Sequence, residues 1–172
     1  EQHLASFSWV YSDPKIAHLC NLPEFESDQE WLDWLVLNQD CQGNTVFAVN
    51  HQQWGFIGSV FLAVHNGVGF FYFWLGADFQ GKGFGPRAVS MLMQLGKERL
   101  GMDCCYTKVY ADNTTSQQAM KKIGFNSLSF RIARPYQNQV YFYRGVEQTP
   151  QKQVAQLRQL IKAMGFDDMI LP

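Results

Sequence analysis

The stretch "WLGADFQGKGFGPRAV" (residues 74–89) sets three glycines two apart, Gly81, Gly83 and Gly85, between an aromatic run and an apolar one. It fits neither of the common phosphate loops. A dinucleotide-binding fingerprint needs a third glycine where Pro86 stands, and a Walker A loop needs Ser or Thr where Gly83 stands. The turn nevertheless joins a strand-like run to a helical one, so the N–H groups near residues 81–85 have no partner inside the helix. Bare glycines let an anion approach those groups. The helix dipole favours negative charge there by about 0.3–1 kcal/mol, and by up to about 2 kcal/mol when partly buried. Pro86 costs little in a first turn, where its missing N–H has no helical partner anyway. Lys82 adds a positive charge over the same place. The turn is expected to grip an anion.

Around this turn the hydrophobic period changes twice. Upstream, "TVFAVN", "GFIGSVFLAV" and "VGFFYFWLG" are rich in aromatic and β-branched residues and read as strands, with His65-Asn66-Gly67 as a tight hairpin turn. Before them, "SDQEWLDWLVLN" reads as a helix. Ser27 and Glu30 form its capping box, and Trp31, Leu32, Trp34 and Leu35 form its apolar face. "DPKIAHLCNL" predicts a shorter helix with Pro14 in its first turn. Downstream of the turn, Val89, Leu92, Gly96 and Leu100 recur at helical spacing. "CYTKVYA" reads as a strand. "NTTSQQAMKKIGF" reads as a short helix capped by Asn113 or a following Thr and stopped at Gly124. "SLSFRIA" and "QVYFYRGV" read as antiparallel strands. A last helix has Thr149 as N-cap, Pro150 at its first position, and Val154, Leu157, Ile161 and Met164 on one face. The order predicts an α/β (α+β) fold: a mixed sheet with helices on its faces.

Composition bounds the rest. The 172 residues make one domain's worth of chain, and at 47% hydrophobic they can bury a sizeable core. A net charge of −1 announces neither nucleic acid nor anionic lipid. No apolar run reaches membrane-spanning length. Cys20, Cys41, Cys104 and Cys105 lack metal-ligand spacing, and the adjacent pair cannot easily bridge, so a reducing, cytoplasmic setting is expected and no metal.

Gln80-Gly81-Lys82-Gly83-Phe84-Gly85 resembles the Gln/Arg-x-x-Gly-x-Gly/Ala motif of the GNAT superfamily of acyl-CoA-dependent N-acetyltransferases. Asn113, Ser116, Gly124 and Phe125 resemble the Asn-x-x-Ser…Gly-Phe pattern of its ribosomal-protein N-terminal (serine/alanine) acetyltransferase branch. The resemblance spans roughly residues 45–144. It implies the GNAT fold, with a splayed central sheet, and acetyl-CoA as the acetyl donor. The domain would cover residues 1–146, with 147–172 as an amphipathic helical extension. The resemblance also implies that the strand ending at Leu75-Gly76 and the strand over residues 106–112 run parallel and diverge, with the pantetheine arm between them. Backbone contacts are then expected from Leu75 and Gly76, diphosphate contacts from Gln80, Gly81, Lys82, Gly83, Phe84 and Gly85, and a side-chain contact to pantetheine from Asn113.

An amine attacking a thioester needs a neutral nitrogen, an oxyanion partner and a proton for the thiolate. Ser116 shares a helix face with Ala119, Met120 and Ile123, so it points toward the core. The resemblance places such a serine near the thioester sulfur as a donor to the leaving thiolate. The other reading is a first-turn serine bonded to its own helix backbone. The tyrosine acid of many superfamily members is replaced here by Met120. Residues 68–74 hold no Asp, Glu or His, which leaves Asp112, Asp78, Tyr72 and Tyr143 as candidate bases, through water or directly. None of His3, His18, His51 and His65 is favoured, and Cys104 and Cys105 read as buried, inert thiols. The expected activity is acetyl transfer to a primary amine, with a protein N-terminus the favoured acceptor. The alternatives are a small amine such as a polyamine or aminoglycoside, or a coenzyme A-binding protein without catalysis. The last helix buries its stripe on its own sheet or at a dimer contact, so a monomer or homodimer is expected.

Overall fold

The structure, a computed structural model, describes residues 3–11, 16, 25–40, 43–130 and 138–165. Its elements in chain order are α1 (Leu4–Tyr11), α2 (Asp28–Asp40), β1 (Asn44–His51), β2 (Gly55–His65), β3 (Val68–Leu75), a 3-10 turn (Ala77–Phe79) and α3 (Phe84–Leu100). There follow β4 (Cys104–Tyr110), α4 (Thr114–Lys122), β5 (Asn126–Ser127), β6 (Gln139–Arg144) and α5 (Pro150–Ala163). The strands form one six-stranded mixed sheet in the order β1-β2-β3-β4-β6-β5. Two compact units divide the chain, residues 1–62 with 72–92 and residues 63–71 with 93–172.

The first unit is built around aromatic rings. Phe7 and Val10 of α1, Trp31 of α2, Phe56 of β2 and Trp74 of β3 are buried together with Ile16. The Phe7 ring lies 4.3 Å from Trp31 and 5.4 Å from Trp74, centroid to centroid, the latter edge to face. Helix α1 carries no cap signal and was not expected from the sequence. At eight residues it is too short to stand alone, and these ring contacts hold it. It comes so close that a side-chain carbon on Gly76 would collide with Val10. Helix α2 opens as its sequence implies, with the Glu30 N–H donating to Ser27 Oγ at 3.2 Å. The Glu30 carboxylate accepts from the Glu26 N–H at 2.8 Å, one residue further back than a standard capping box. The short helix expected over residues 13–22 lies outside the described residues apart from Ile16.

The second unit centres on β4. It pairs in parallel with β3 from Val68↔Cys104 to Phe70↔Tyr106, and antiparallel with β6 over six pairs. The parallel ladder is three pairs long although β3 has eight residues and β4 seven. Just past its last pair the buried Thr107 hydroxyl donates to the Phe71 carbonyl at 2.8 Å, taking up an acceptor that the ladder leaves. The turn feeding β3 has Asn66 and Gly67 both left-handed, at φ 50° and 76°, as the hairpin signal requires. The Asn113 side chain caps α4 by accepting from the Ser116 N–H at 3.1 Å. The helix ends at a left-handed Gly124, with the Phe125 N–H returning to the Met120 carbonyl at 3.0 Å. The strand expected in "SLSFRIA" (residues 127–133) begins one residue earlier, at Asn126. Among the described residues Asn126 and Ser127 pair with β6, the Leu128 N–H donates to the Tyr141 carbonyl, and residues 131–133 lie outside the described residues.

Helix α5 belongs to this second unit. Thr149 caps it, Pro150 occupies its first turn, and Leu157, Leu160 and Ile161 are buried. The Tyr106 hydroxyl on β4 donates to Gln156 Oε1 at 2.8 Å, which ties the helix to the strand. Leu157 is 0% exposed, so Leu157→Ala removes a fully enclosed side chain. Chemical denaturation should show a loss of about 2–5 kcal/mol, while exposed Gln159→Ala stays within about 0.5 kcal/mol. Equal effects of the two would mean that α5 is not packed as described.

Candidate active site

The three glycines of the turn have two different tasks. Gly81 and Gly83 take φ of 71° and 81°, the left-handed region, with open space where a side chain would sit. Gly85 is buried, and a Cβ there would lie 3.0 Å from the Phe73 ring of β3, so its role is close packing of α3 on the strand. The 3-10 turn leads in, with the Phe79 N–H bonded to the Gly76 carbonyl at 2.9 Å. The Gln80 side chain then reaches back and donates to the Leu75 carbonyl at 3.0 Å. Gln80 therefore fixes the loop to the end of β3, which the sequence pattern alone does not disclose.

The first helical bond of α3 beyond the turn runs from the Arg87 N–H to the Gly83 carbonyl at 3.3 Å. Among the described residues, the main-chain N–H groups of Gly81, Lys82, Gly83, Phe84 and Gly85 have no protein acceptor. No carboxylate lies within residues 80–85. This donor set, at the positive end of a 17-residue helix, fits a diphosphate. The Lys82 ammonium lies 5.5 Å from the centre of the Trp54 ring.

Gly76 uses both main-chain groups internally. Its N–H donates to the Ile57 carbonyl on β2 at 3.0 Å, and its carbonyl accepts from Phe79. By strand alternation the Leu75 N–H points to the opposite edge of β3, away from β2.

In the second unit, Asn113 holds the N-terminus of α4 and Ser116 sits half-buried in its first turn. The Ser116 N–H is taken by the cap, and its hydroxyl has no bond among the described residues. Met120 is fully enclosed below it.

The phenols expected as candidate bases are held protonated. Burial pushes the Tyr72 hydroxyl far above its usual range, with Tyr11 adding to the shift, and the ring stacks on Phe61 at 4.5 Å. Burial and the neighbouring Cys104 push Tyr143 up to about 12, and its hydroxyl donates to the Val146 carbonyl at 2.8 Å. Asp78 and Asp112 are exposed. The Cys104 and Cys105 thiols are free, buried and raised by burial, so neither supplies a thiolate at neutral pH. His51 accepts from the Gln53 N–H and packs on Trp54, while His18 lies outside the described residues. Lys108, absent from the expected site residues, sits half-buried on β4, and partial burial pulls its pKa below the usual lysine range. Its one signal in the sequence is a lysine inside the aromatic strand "CYTKVYA". Among the described residues, no group of three His, Cys, Asp or Glu could hold a metal ion, and no helix is long and apolar enough to cross a membrane.

The sequence matches the model of the acetyltransferase (GNAT) domain over residues 1–126. No curated protein matches it. The fold is similar to that of spermidine N-acetyltransferase from Vibrio cholerae, solved in complex with CoA and spermine. The two share 18% identity and a TM-score of 0.73 over 84% of this chain and 90% of that one. It is also similar to RimL, a ribosomal L7/L12 α-N-protein acetyltransferase solved in an apo crystal form. There the identity is 16% and the TM-score 0.69, over 84% of this chain and 86% of that one. At such identities the solved structures speak for the fold, and the family match speaks for the chemistry. The chain belongs to the GNAT acetyltransferase family, enzymes that transfer an acetyl group from acetyl-CoA to an amine.

Proposed function

We propose that the acceptor is the α-amine of a protein N-terminus, as the ribosomal-protein acetyltransferase motif pattern implies. The observation that carries this reading is the state of the candidate bases. Tyr72 and Tyr143 keep their protons at neutral pH, and Asp78 and Asp112 lie exposed to solvent. An enzyme so equipped favours an amine that is partly neutral by itself. An α-amine titrates near pH 7.7–8.0, whereas a side-chain-type primary amine titrates near 10.4 and is almost wholly charged at pH 7. The spermidine acetyltransferase likeness supplies the second reading, a polyamine. Acidic side chains lining the acceptor pocket would favour it, and the strand that would face the thioester, residues 68–74, carries none.

Acetyl-CoA supplies the acetyl group as a thioester, whose carbon takes the amine lone pair and whose sulfur leaves. In the proposed arrangement the N–H groups of residues 81–85 and the Lys82 ammonium hold the diphosphate, with Gln80 keeping the loop in place. The Leu75 N–H, on the side of β3 away from β2, is the donor assigned to the pantetheine arm or the developing oxyanion, and Gly76 lets α1 close over that strand end. Asn113 contacts pantetheine through the amide nitrogen that its capping oxygen leaves over. The Ser116 hydroxyl, having no bond of its own among the described residues, passes its proton to the departing thiolate and recovers one, through water, from the nitrogen that has just bonded to the carbonyl carbon. The products are the amide and the free thiol of coenzyme A. We place the reaction in the cytoplasm, as the cysteine usage and composition of the sequence suggest. The acting unit is taken as one chain, since the apolar stripe of α5 is buried within it.

Two measurements test this. Peptides with free Ser or Ala N-termini should release thiol from acetyl-CoA faster than spermidine at pH 7. Their kcat/KM should rise with pH and level off above about 8, where the α-amine is neutral. A rate that keeps climbing to pH 10, or a preference for spermidine, contradicts the peptide acceptor. Ser116→Ala should lower kcat by about 10²-fold with the KM for acetyl-CoA nearly unchanged. A loss smaller than twofold would remove Ser116 from the chemistry.

A further inference from the structure

Beside the glycine turn lies an aromatic cluster that the acetyl-transfer chemistry does not use. Trp54, in the turn between β1 and β2, is 51% exposed, which is unusual for the largest side chain. It is nevertheless held in place. The His51 ring stacks on it at 4.2 Å with 23° between planes. Phe84 meets it edge to face at 6.0 Å, and Phe79 lies 5.7 Å away. Phe84 is also the first residue of α3, and its N–H is one of the unpartnered donors of the turn. The platform and the anion site therefore share a residue.

Lys82 links them a second time. Its ammonium rests over the Trp54 ring, where the negative π face attracts it. Lys82 is itself part of the glycine turn, between left-handed Gly81 and Gly83. A doubly charged diphosphate on the neighbouring N–H groups is a stronger partner for an ammonium than an indole face is. Binding would thus draw Lys82 off the ring and leave a rigid aromatic surface uncovered next to the bound phosphates. The group that a nucleotide cofactor carries beyond its diphosphate is a flat purine.

We propose that Trp54 is the base platform of the coenzyme A site: the adenine stacks on the indole face that Lys82 covers in the free protein. This rests on the assignment of the diphosphate to the glycine turn. Stacking explains why a tryptophan stays exposed here and why its ring is fixed by His51 and Phe84, since a pre-ordered ring loses little freedom on binding.

Calorimetric titration of the full chain with CoA and with 4′-phosphopantetheine tests this, each ligand being compared between variant and parent. The second ligand keeps the pantetheine arm and one phosphate but lacks the second phosphate and the 3′-phosphoadenosine. Trp54→Ala and Trp54→Leu should weaken CoA by about 5- to 150-fold, the range of base–aromatic stacking, and leave phosphopantetheine within about twofold. Trp54→Phe, which keeps a π face, should retain most of the CoA affinity. Thermal midpoints of the three variants should lie well above the titration temperature, with Trp54→Phe nearest the parent, since half of the ring surface is exposed and the rest packs on His51, Phe79 and Phe84. Unchanged CoA affinity in Trp54→Leu overturns the proposal, as does an equal loss for both ligands, which would make Trp54 a support for the loop. A parent protein that fails to bind CoA at all contradicts the diphosphate assignment itself, a different outcome from parent-like binding by Trp54→Leu.

Discussion

Two glycines in the left-handed region, Gly81 and Gly83, set the terms for the rest of this molecule. Side chains rarely adopt that backbone, and the reversal it produces leaves a row of N–H groups with no protein partner at the head of α3. Each hydrogen bond from such a donor to a charged oxygen contributes about 1.5–3 kcal/mol, and the helix dipole adds a smaller amount of the same sign. The turn would be loose if only the glycines defined it. The Gln80 amide on the Leu75 carbonyl and the contact of Gly85 with Phe73 fasten it to β3 on either side. A strand end, a turn and a helix start are thereby made into one rigid piece.

The chemistry assigned to the protein follows from what surrounds that piece. The first unit is filled by rings, and its Glu26, Asp28, Glu30, Asp33 and Asp78 lie at the surface. In the second, burial raises the thiols and the phenols alike, so these groups act as proton holders near neutral pH. On the proposed reading, such groups donate protons to a bound thioester more readily than they remove them from an amine. The nitrogen that reacts with it must bring its own lone pair. Under that proposal an α-amine, partly neutral near pH 8, is a better acceptor than a polyamine nitrogen, while the fold similarity is shared by acetyltransferases of both kinds.

Much of this was legible in the sequence because it is local. The Asn113 cap, the Gly124 stop, the Thr149-Pro150 helix start and the Asn66-Gly67 hairpin each depend on residues within a few positions of one another, and all appear where expected. The glycine turn was legible for the same reason. Helix α1 was not, because contacts with Trp31 and Trp74, far along the chain, decide its conformation. The back-bond of Gln80, the hydroxyl of Thr107 on Phe71 and the resting place of Lys82 on Trp54 also escape a linear reading. Each is a side chain choosing among partners that only the folded sheet brings near. Lys108 escaped because its identity suggests a surface residue, while its strand position half-buries it.

The central claim is that bare main-chain amides of the turn hold the diphosphate of acetyl-CoA. Amide NMR of the isotope-labelled chain during titration with CoA reads those groups one by one. The account predicts that Gly81, Gly83, Phe84 and Gly85 N–H resonances move downfield together and saturate at one ligand per chain. Saturable CoA binding that leaves these four amides in place, while others shift, would contradict it.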